Sequence, residues 1–277
     1  MTSPTAADDP APAEPTTPHH RVHLMGLDGK AGTHQITLPL AFSQTIRPDL
    51  IRRAVVAAQS HRRQPYGTSP TAGLRHSTRW SGKGKGVSRT PRLMDSMRGA
   101  QAPNTVGGRQ AHPPRVERIW TKKINRKESR LAFASALAAT RETALVTSRG
   151  HDLPEGLHLP LILEDPVEKI QTTKEARALL ERLHLWADIE RARDGTQLKS
   201  GRARRRGRGR RVPRSVLVVT SLPNQALGFR NLSGVEVVSA LRLATEDLAP
   251  GGDPARLTLY SHAALESLRT RLKEVAA

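Results

Sequence analysis

Residues 64–127 restrict the fold of this chain more than any other stretch, because they cannot build a core. Their only Ile, Leu and Val residues are Leu74, Val87, Leu93, Val106, Val116, Ile119 and Ile124, with no period of 2 or 3.6 among them. Tyr66-Gly67, Ser69-Pro70, Gly107-Gly108 and Pro113-Pro114 interrupt every candidate element. A segment this long without secondary structure has no place inside a compact domain unless something outside the chain gives it shape.

Charge indicates what that something is. Residues 60–127 hold 16 Lys or Arg against two acids, Asp95 and Glu117. A second run, LKSGRARRRGRGRRVPRS, carries nine more basic residues and no acid. These two segments hold 25 of the 45 basic residues, leaving 20 basic against 23 acidic residues elsewhere. The net charge of +20 therefore belongs to two cationic loops on a nearly neutral body. Such a distribution implies a polyanionic partner, nucleic acid before membrane, because neither loop has an amphipathic face or lipid anchor beside it. The excess of Arg over Lys favours bidentate phosphate contacts and stacking on bases.

At 277 residues the chain has room for one or two domains with a buried core. It has no cysteine, which excludes a disulfide scaffold and a cysteine-based zinc site. No apolar run approaches the length of a membrane helix. Residues 1–20, rich in Ala, Pro and Thr, read as a disordered tail. From Arg21 to Phe42 the pattern is a strand, an Asp28-Gly29 turn and a second strand. A helix follows from Pro48, with Leu50, Ile51, Ala54, Val55 and Ala58 on one face. Beyond the cationic stretch, Asn125 and Glu128 suggest a capping box, and the helix they start has Leu131, Ala134, Ser135, Leu137 and Ala138 at packing spacing. The two helices flank the long loop, so it leaves and re-enters one folded body.

After Arg141, the runs TALVTS, LPLILED, ADIERA, SVLVVTS, VEVVSA and RLTLYS read as strands. TTKEARALLERLHL, PNQALGFRNL and SHAALESLRTRLKEV read as helices between or after them. The expected fold class is α/β: a mainly parallel sheet covered by helices on both faces, with a long extended internal loop and a second, Arg-rich loop. The expected organisation is a single domain over 21–277, interrupted at 64–127 and 197–214.

No catalytic or metal constellation stands out. GKGKG lacks the Walker spacing and neither follows a strand nor opens a helix. No G-x-G-x-x-G follows the first strand. His19, His20, His112, His151 and His158 have no metal-ligand spacing, and His151 is expected in a turn after Gly150. Glu164/Asp165 and Glu246/Asp247 read as caps rather than acid–base pairs. No serine sits in a nucleophile elbow. No cofactor is expected. The candidates are instead nucleic-acid-contacting groups: Arg62, Arg63, Arg75, Arg79, Lys83, Lys85, Arg89, Arg92, Arg98, Arg109, Arg115, Lys122 and Lys123 in the long loop, and Arg202, Arg204, Arg205, Arg206, Arg208, Arg210 and Arg211 in the second. Tyr66, His76, Trp80 and Trp120 are candidates for stacking on unpaired bases.

Several segments resemble a known family. RPDLIRRAVVAAQSHRRQPYG, WSGKGKGVSRTPR, GGRQAHPP, KKINRKESRLAFASALAAT and ATEDLAPGGDPARLTLYSHAAL are similar, in order, to the fourth protein of the large ribosomal subunit in its archaeal and eukaryotic branch. The resemblance runs from about Val22 to the C-terminus, and the archaeal form is the nearer. It implies an α/β body on the outer surface of the large subunit, in the cytoplasmic ribosome, bound to large-subunit rRNA. It also implies neighbouring ribosomal proteins as partners, among them a second extended protein at the tunnel constriction, and no membrane, self-association or enzymatic activity. Trp80, Ser81, Gly82, Lys83, Gly84, Lys85 and Gly86 would form a loop tip lining the nascent-peptide exit tunnel. Arg89, Arg92, Arg109 and His112 would pack among RNA helices. A regulator that binds its own messenger off the ribosome, and an RNA-processing enzyme, are the competing classes.

Overall fold

A computed structural model describes residues 20–154 and 156–276, so the tail assigned to residues 1–20 lies, apart from His20, outside the described residues. The chain divides into two compact units: the residues up to Ala58 with those from Lys123 onward, and Gln59–Lys122 between them.

The first unit opens with β1 (Arg21–Met25) and β2 (Ala31–Thr37), an antiparallel pair joined through the expected turn, where Gly29 takes φ +76°. A 3₁₀ turn at Leu40–Ser43 leads to α1 (Pro48–His61), whose proline occupies the first helical position, where no N–H is needed. The second unit contains β3 (Thr78–Trp80) and β4 (Pro91–Leu93). The first unit resumes with α2 (Arg126–Ala139), α3 (Thr143–Ser148), β5 (Leu161–Leu163), α4 (Thr173–Arg182) and α5 (Trp186–Asp194). Then come β6 (Gln197–Leu198), α6 (Gly201–Arg205), β7 (Arg210–Arg211), β8 (Leu217–Thr220) and β9 (Glu236–Ser239). The chain closes with α7 (Thr245–Leu248), β10 (Thr258–Ser261) and α8 (His262–Ala276).

Six strands form one sheet in the order β2-β1-β5-β10-β8-β9, parallel throughout except for the β1–β2 hairpin. Alternate residues of the central strands feed two cores. Leu161, Leu163, Val218 and Leu259 pack with α4 and α5, whereas Ile162, Leu217, Val219 and Tyr260 pack with α1, α2 and α8. The mainly parallel, doubly covered sheet is thus observed, and its strands are apolar on both faces for that reason.

Several element readings are corrected. TALVTS and ADIERA are helices, α3 and α5. In α5 the buried residues are Asp188, Ile189 and Ala192, a spacing of three to four; in α3 only Val146 is buried and the β-branched threonines face outward. PNQALGFRNL keeps only a 3₁₀ turn at Leu227–Phe229, because Asn224 and Ala226 adopt left-handed φ of +66° and +51°. On α1 the inward alanines are Ala54 and Ala57, and Ala58 is exposed. On α2, Ala132, Phe133 and Ala136 turn inward, and Leu131 is exposed. Asn125 makes no side-chain cap, and Glu128 pairs with Arg53 at 3.1 Å instead of closing a capping box.

Two buried carboxylates stitch the ends of the sheet. At the carboxyl ends, Glu168 accepts from Ser221 N–H (2.6 Å), Ser221 Oγ (2.8 Å) and Ser261 Oγ (2.5 Å). At the amino ends, Asp188 accepts from Ser215 Oγ (2.5 Å), Arg191 Nε (2.9 Å), Asp152 N–H (3.1 Å) and His151 Nδ1 (3.2 Å). His151 directly follows the turn at Gly150 and is buried, its Nε2 accepting from Leu257 N–H at 3.3 Å. Burial works to raise the Asp188 carboxyl, but its contacts with His151, Ser215 and Arg191 outweigh burial and hold it at about 2, below its ordinary 3.8. A carboxyl so lowered stabilises the fold fully above pH 4 and loses that contribution as the pH falls through 2. Urea unfolding between pH 7 and pH 2 is expected to show a loss of about 2 kcal/mol from this group. Asp188→Asn should be destabilised at pH 7 by a similar amount and lack that part of the acid limb.

Candidate nucleic-acid interface

The unit Gln59–Lys122 has almost no interior. Among its described residues Ala100 is the one buried hydrophobic, and Ser60 and Ser81 are the buried polar residues. It is held by turns instead. Ser60 Oγ accepts from Lys122 N–H at 2.8 Å at its base, and Thr68 N–H donates to Pro114 O at 3.0 Å. Gln101 ties the two limbs together, its side-chain amide donating to the carbonyls of Leu74 (3.1 Å) and His76 (2.5 Å) while its oxygen accepts from Thr78 Oγ1 (3.0 Å). Gly73, at φ +75°, lets the limbs touch: a Cβ there would lie 2.6 Å from Arg109 Cα.

Beyond this, β3 and β4 form a short antiparallel ribbon with Trp80 opposite Pro91. The intervening loop contains Gly82, Gly84 and Gly86 at φ +75°, +76° and +67°, alternating with Lys83 and Lys85. Both lysines are exposed, and Trp80 is 70% exposed beside them. Ser81 instead turns inward, its hydroxyl directed at Ser88 O at 3.5 Å.

The candidates separate by environment. Arg62, Arg63, Arg75, Arg79, Arg89, Arg98, Arg109, His112, Arg115, Lys122 and Lys123 are exposed. Arg92 is half-buried and engaged internally, donating to Met97 O, to Ser88 O (3.3 Å) and to Ser88 Oγ (3.1 Å). Tyr66 and Trp120 stack on each other, with ring centroids 5.9 Å apart at 14°, and Arg118 lies over the Trp120 ring at 4.6 Å. Trp120 is therefore already occupied, while Trp80 and His76 remain open to solvent. Arg118 and Gln101 were absent from the sequence-derived candidates. Arg118 was readable as a neighbour of Trp120; Gln101 carried no signal.

The Arg-rich loop, in the first unit, is a hairpin rather than an open run. β6 and β7 pair Gln197 with Arg211 and Leu198 with Arg210, and α6 forms a single helical turn between them. Arg202, Arg204, Arg205, Arg206, Arg208, Arg210 and Arg211 are all exposed. Among the described residues, none of the seven is ion-paired. Arg214, at its base, does pair, sharing Glu236 with the fully buried Arg256. Like charges held side by side without counter-charges repel one another, so the arrangement favours an external polyanion.

Among the described residues the geometry gives no hydrolytic site. Ser215, Asp188 and His151 lie together, but Ser215 donates to Asp188 rather than to His151, and the other His151 nitrogen is taken by Leu257 N–H. The carboxyl-end crevice in which open α/β sheets bind ligands is filled by Glu168 and its serines. Asp165 and Asp247 act as caps, accepting from Ala263 N–H and Ala244 N–H, both at 2.8 Å. Among the described residues no helix is long and apolar enough to cross a membrane, and no cluster of three His, Asp or Glu could hold a metal ion.

Residues 36–271 match the family model described as ribosomal protein L4/L1 family. The large ribosomal subunit protein uL4 of Methanopyrus kandleri is 44% identical over 86% of this chain and 94% of its own length. The proteins of that name from Pyrobaculum aerophilum and Halorubrum lacusprofundi are each 46% identical, over 92% and 88% of this chain and 91% and 96% of their own lengths. With a model matching most of its length and archaeal relatives of this closeness, the chain belongs to the ribosomal protein L4/L1 family.

Proposed function

We propose that this chain is a structural, non-enzymatic constituent of the large ribosomal subunit that binds large-subunit rRNA and supports its assembly in the cytoplasm. In this reading residues 64–127 thread between RNA helices and residues 197–214 grip phosphates at a second place. The tip from Trp80 to Gly86 lines the nascent-peptide exit tunnel, beside another extended ribosomal protein. The carrying observation is the pair of cationic segments: seven exposed arginines without ion pairs in one, and an almost coreless run of exposed basic residues in the other.

The physical logic is consistent with that role. Arg and Lys replace counterions condensed on RNA, and a glycine-rich backbone approaches phosphates where a helix would not fit. Exposed Trp80 and His76 offer rings to unpaired bases. With so little apolar burial, the long segment gains its order from the RNA rather than from itself.

Binding to a large-subunit rRNA fragment measured against salt tests this. With about ten phosphates neutralised, log affinity should fall against log salt with a slope of roughly −7 to −9. A slope shallower than about −3 at undiminished affinity would remove the electrostatic account. Comparing the fragment with the chain's own messenger separates a ribosomal role from a regulatory one. Hydrogen exchange should find residues 70–115 unprotected in the free protein and protected on the RNA; protection in both states contradicts the reading. Gly73→Ala should weaken RNA binding by about tenfold, because the limbs can no longer close, while leaving the melting of the α/β body unchanged.

A further inference from the structure

A cleft of about 660 Å³ lies beside the amino ends of β1 and β5, and none of the candidate RNA-contacting residues lines it. Met25, Leu157 and Leu159 supply apolar wall, and His20, His23 and His158 add three imidazoles. Arg141, from the turn after α2, also lines it. Its Nη2 donates to Glu142 Oε1 at 3.2 Å, but its Nη1 is shut off from solvent and has no acceptor. A buried guanidinium N–H is costly to leave unmade, so the site asks for an oxygen from outside.

The imidazoles restrict what carries that oxygen. His23 is fixed on both sides, with Nδ1 3.1 Å from Gly32 O and Nε2 3.1 Å from the Gln35 amide nitrogen. Its remaining offer to a ligand is a ring face. A stacking surface, an apolar wall and one unsatisfied cationic donor together suit a flat, oxygen-bearing, anionic group. An acidic side chain would answer Arg141 but leave the apolar wall and the rings unused.

We propose that this cleft seats one unpaired nucleotide of the bound RNA, with its base on the imidazole side, and that the Arg141 side chain, 26% of which is open to solvent, turns its unpartnered Nη1 to a phosphate or base oxygen. The inference rests on the RNA-binding reading above, and it adds a base-capturing site on the α/β body to the phosphate contacts of the two cationic segments.

Two measurements on the full chain test it. In the first, AMP, UMP, inorganic phosphate and glutamate are titrated separately while the His23 and His158 imidazole resonances are followed. A saturable shift with a nucleotide, absent with phosphate and glutamate, is expected. No shift with either nucleotide, or equal shifts with phosphate or glutamate, overturns the proposal.

In the second, Arg141→Met should lose about tenfold in affinity for the rRNA fragment while changing the salt slope by no more than about one unit. Unchanged affinity in a folded Arg141→Met protein also overturns the proposal. Should that variant fail to fold, His158→Leu takes its place, since the His158 ring is exposed and makes no hydrogen bond among the described residues; a loss of about threefold is expected, and none contradicts the cleft. Failure of the wild-type chain to bind rRNA would instead sink the reading in the previous subsection, whatever the nucleotide titration shows.

Discussion

Strands β5, β10 and β8 are screened from water on both faces, so their backbone groups depend on ladder bonds, and the strand ends depend on side chains brought in from elsewhere. Glu168 does this at the carboxyl ends and Asp188 at the amino ends, each accepting three or more hydrogen bonds. Arg256, with no exposed surface, donates to Glu236 and to the carbonyls of Ser215, Asp247 and Gly234. Buried charges of this kind persist only when their hydrogen-bonding capacity is met. Glu168, Asp188 and Arg256 are thus held in closed networks that take up their hydrogen-bonding capacity.

That same constraint explains where the cations go. A core wrapped on both faces has no room for runs of unpaired arginine, and placing them in loops keeps their repulsion away from the sheet. β6 and β7 turn the shorter run back on itself within a few residues, while the longer run lies in a unit held by turns and by Gln101 rather than by apolar contacts. Both segments present cationic groups to solvent, the presentation that the proposed RNA partner would use.

Much of this was legible in the residues. The parallel strands announced themselves as β-branched runs, the Asp28-Gly29 hairpin by its turn dipeptide, and the cationic segments by counting alone. What escaped were choices made by packing. Of the residues expected inward on α2, Ser135, Leu137 and Ala138 are buried, but the buried side is centred on Ala132, Phe133 and Ala136, which leaves Leu131 exposed. TALVTS has β-branched residues but no alternation to hold it as a strand, whereas ADIERA, apart from Ile189, is made of Ala, Asp, Glu and Arg, a composition that favours helix over strand. Asn125 and Glu128 had a capping pattern, but Arg53, far away in sequence, claimed the glutamate. Pairings such as Tyr66 with Trp120, or His151 with Asp188, join positions 54 and 37 residues apart, and nothing local marks them. Site residues were visible as chemistry; their division into engaged and open was not.

The loop between β3 and β4 carries a last consequence. At Gly82, Gly84 and Gly86 a side chain would meet nothing within 4 Å, yet each φ lies in the left-handed region. Size is therefore irrelevant there and stereochemistry is decisive. A mirror-image D-alanine would sit at ease in all three places, whereas its natural enantiomer would be strained in each. Glycine, the achiral residue, is the ribosomally encoded way to obtain this alternation of hand.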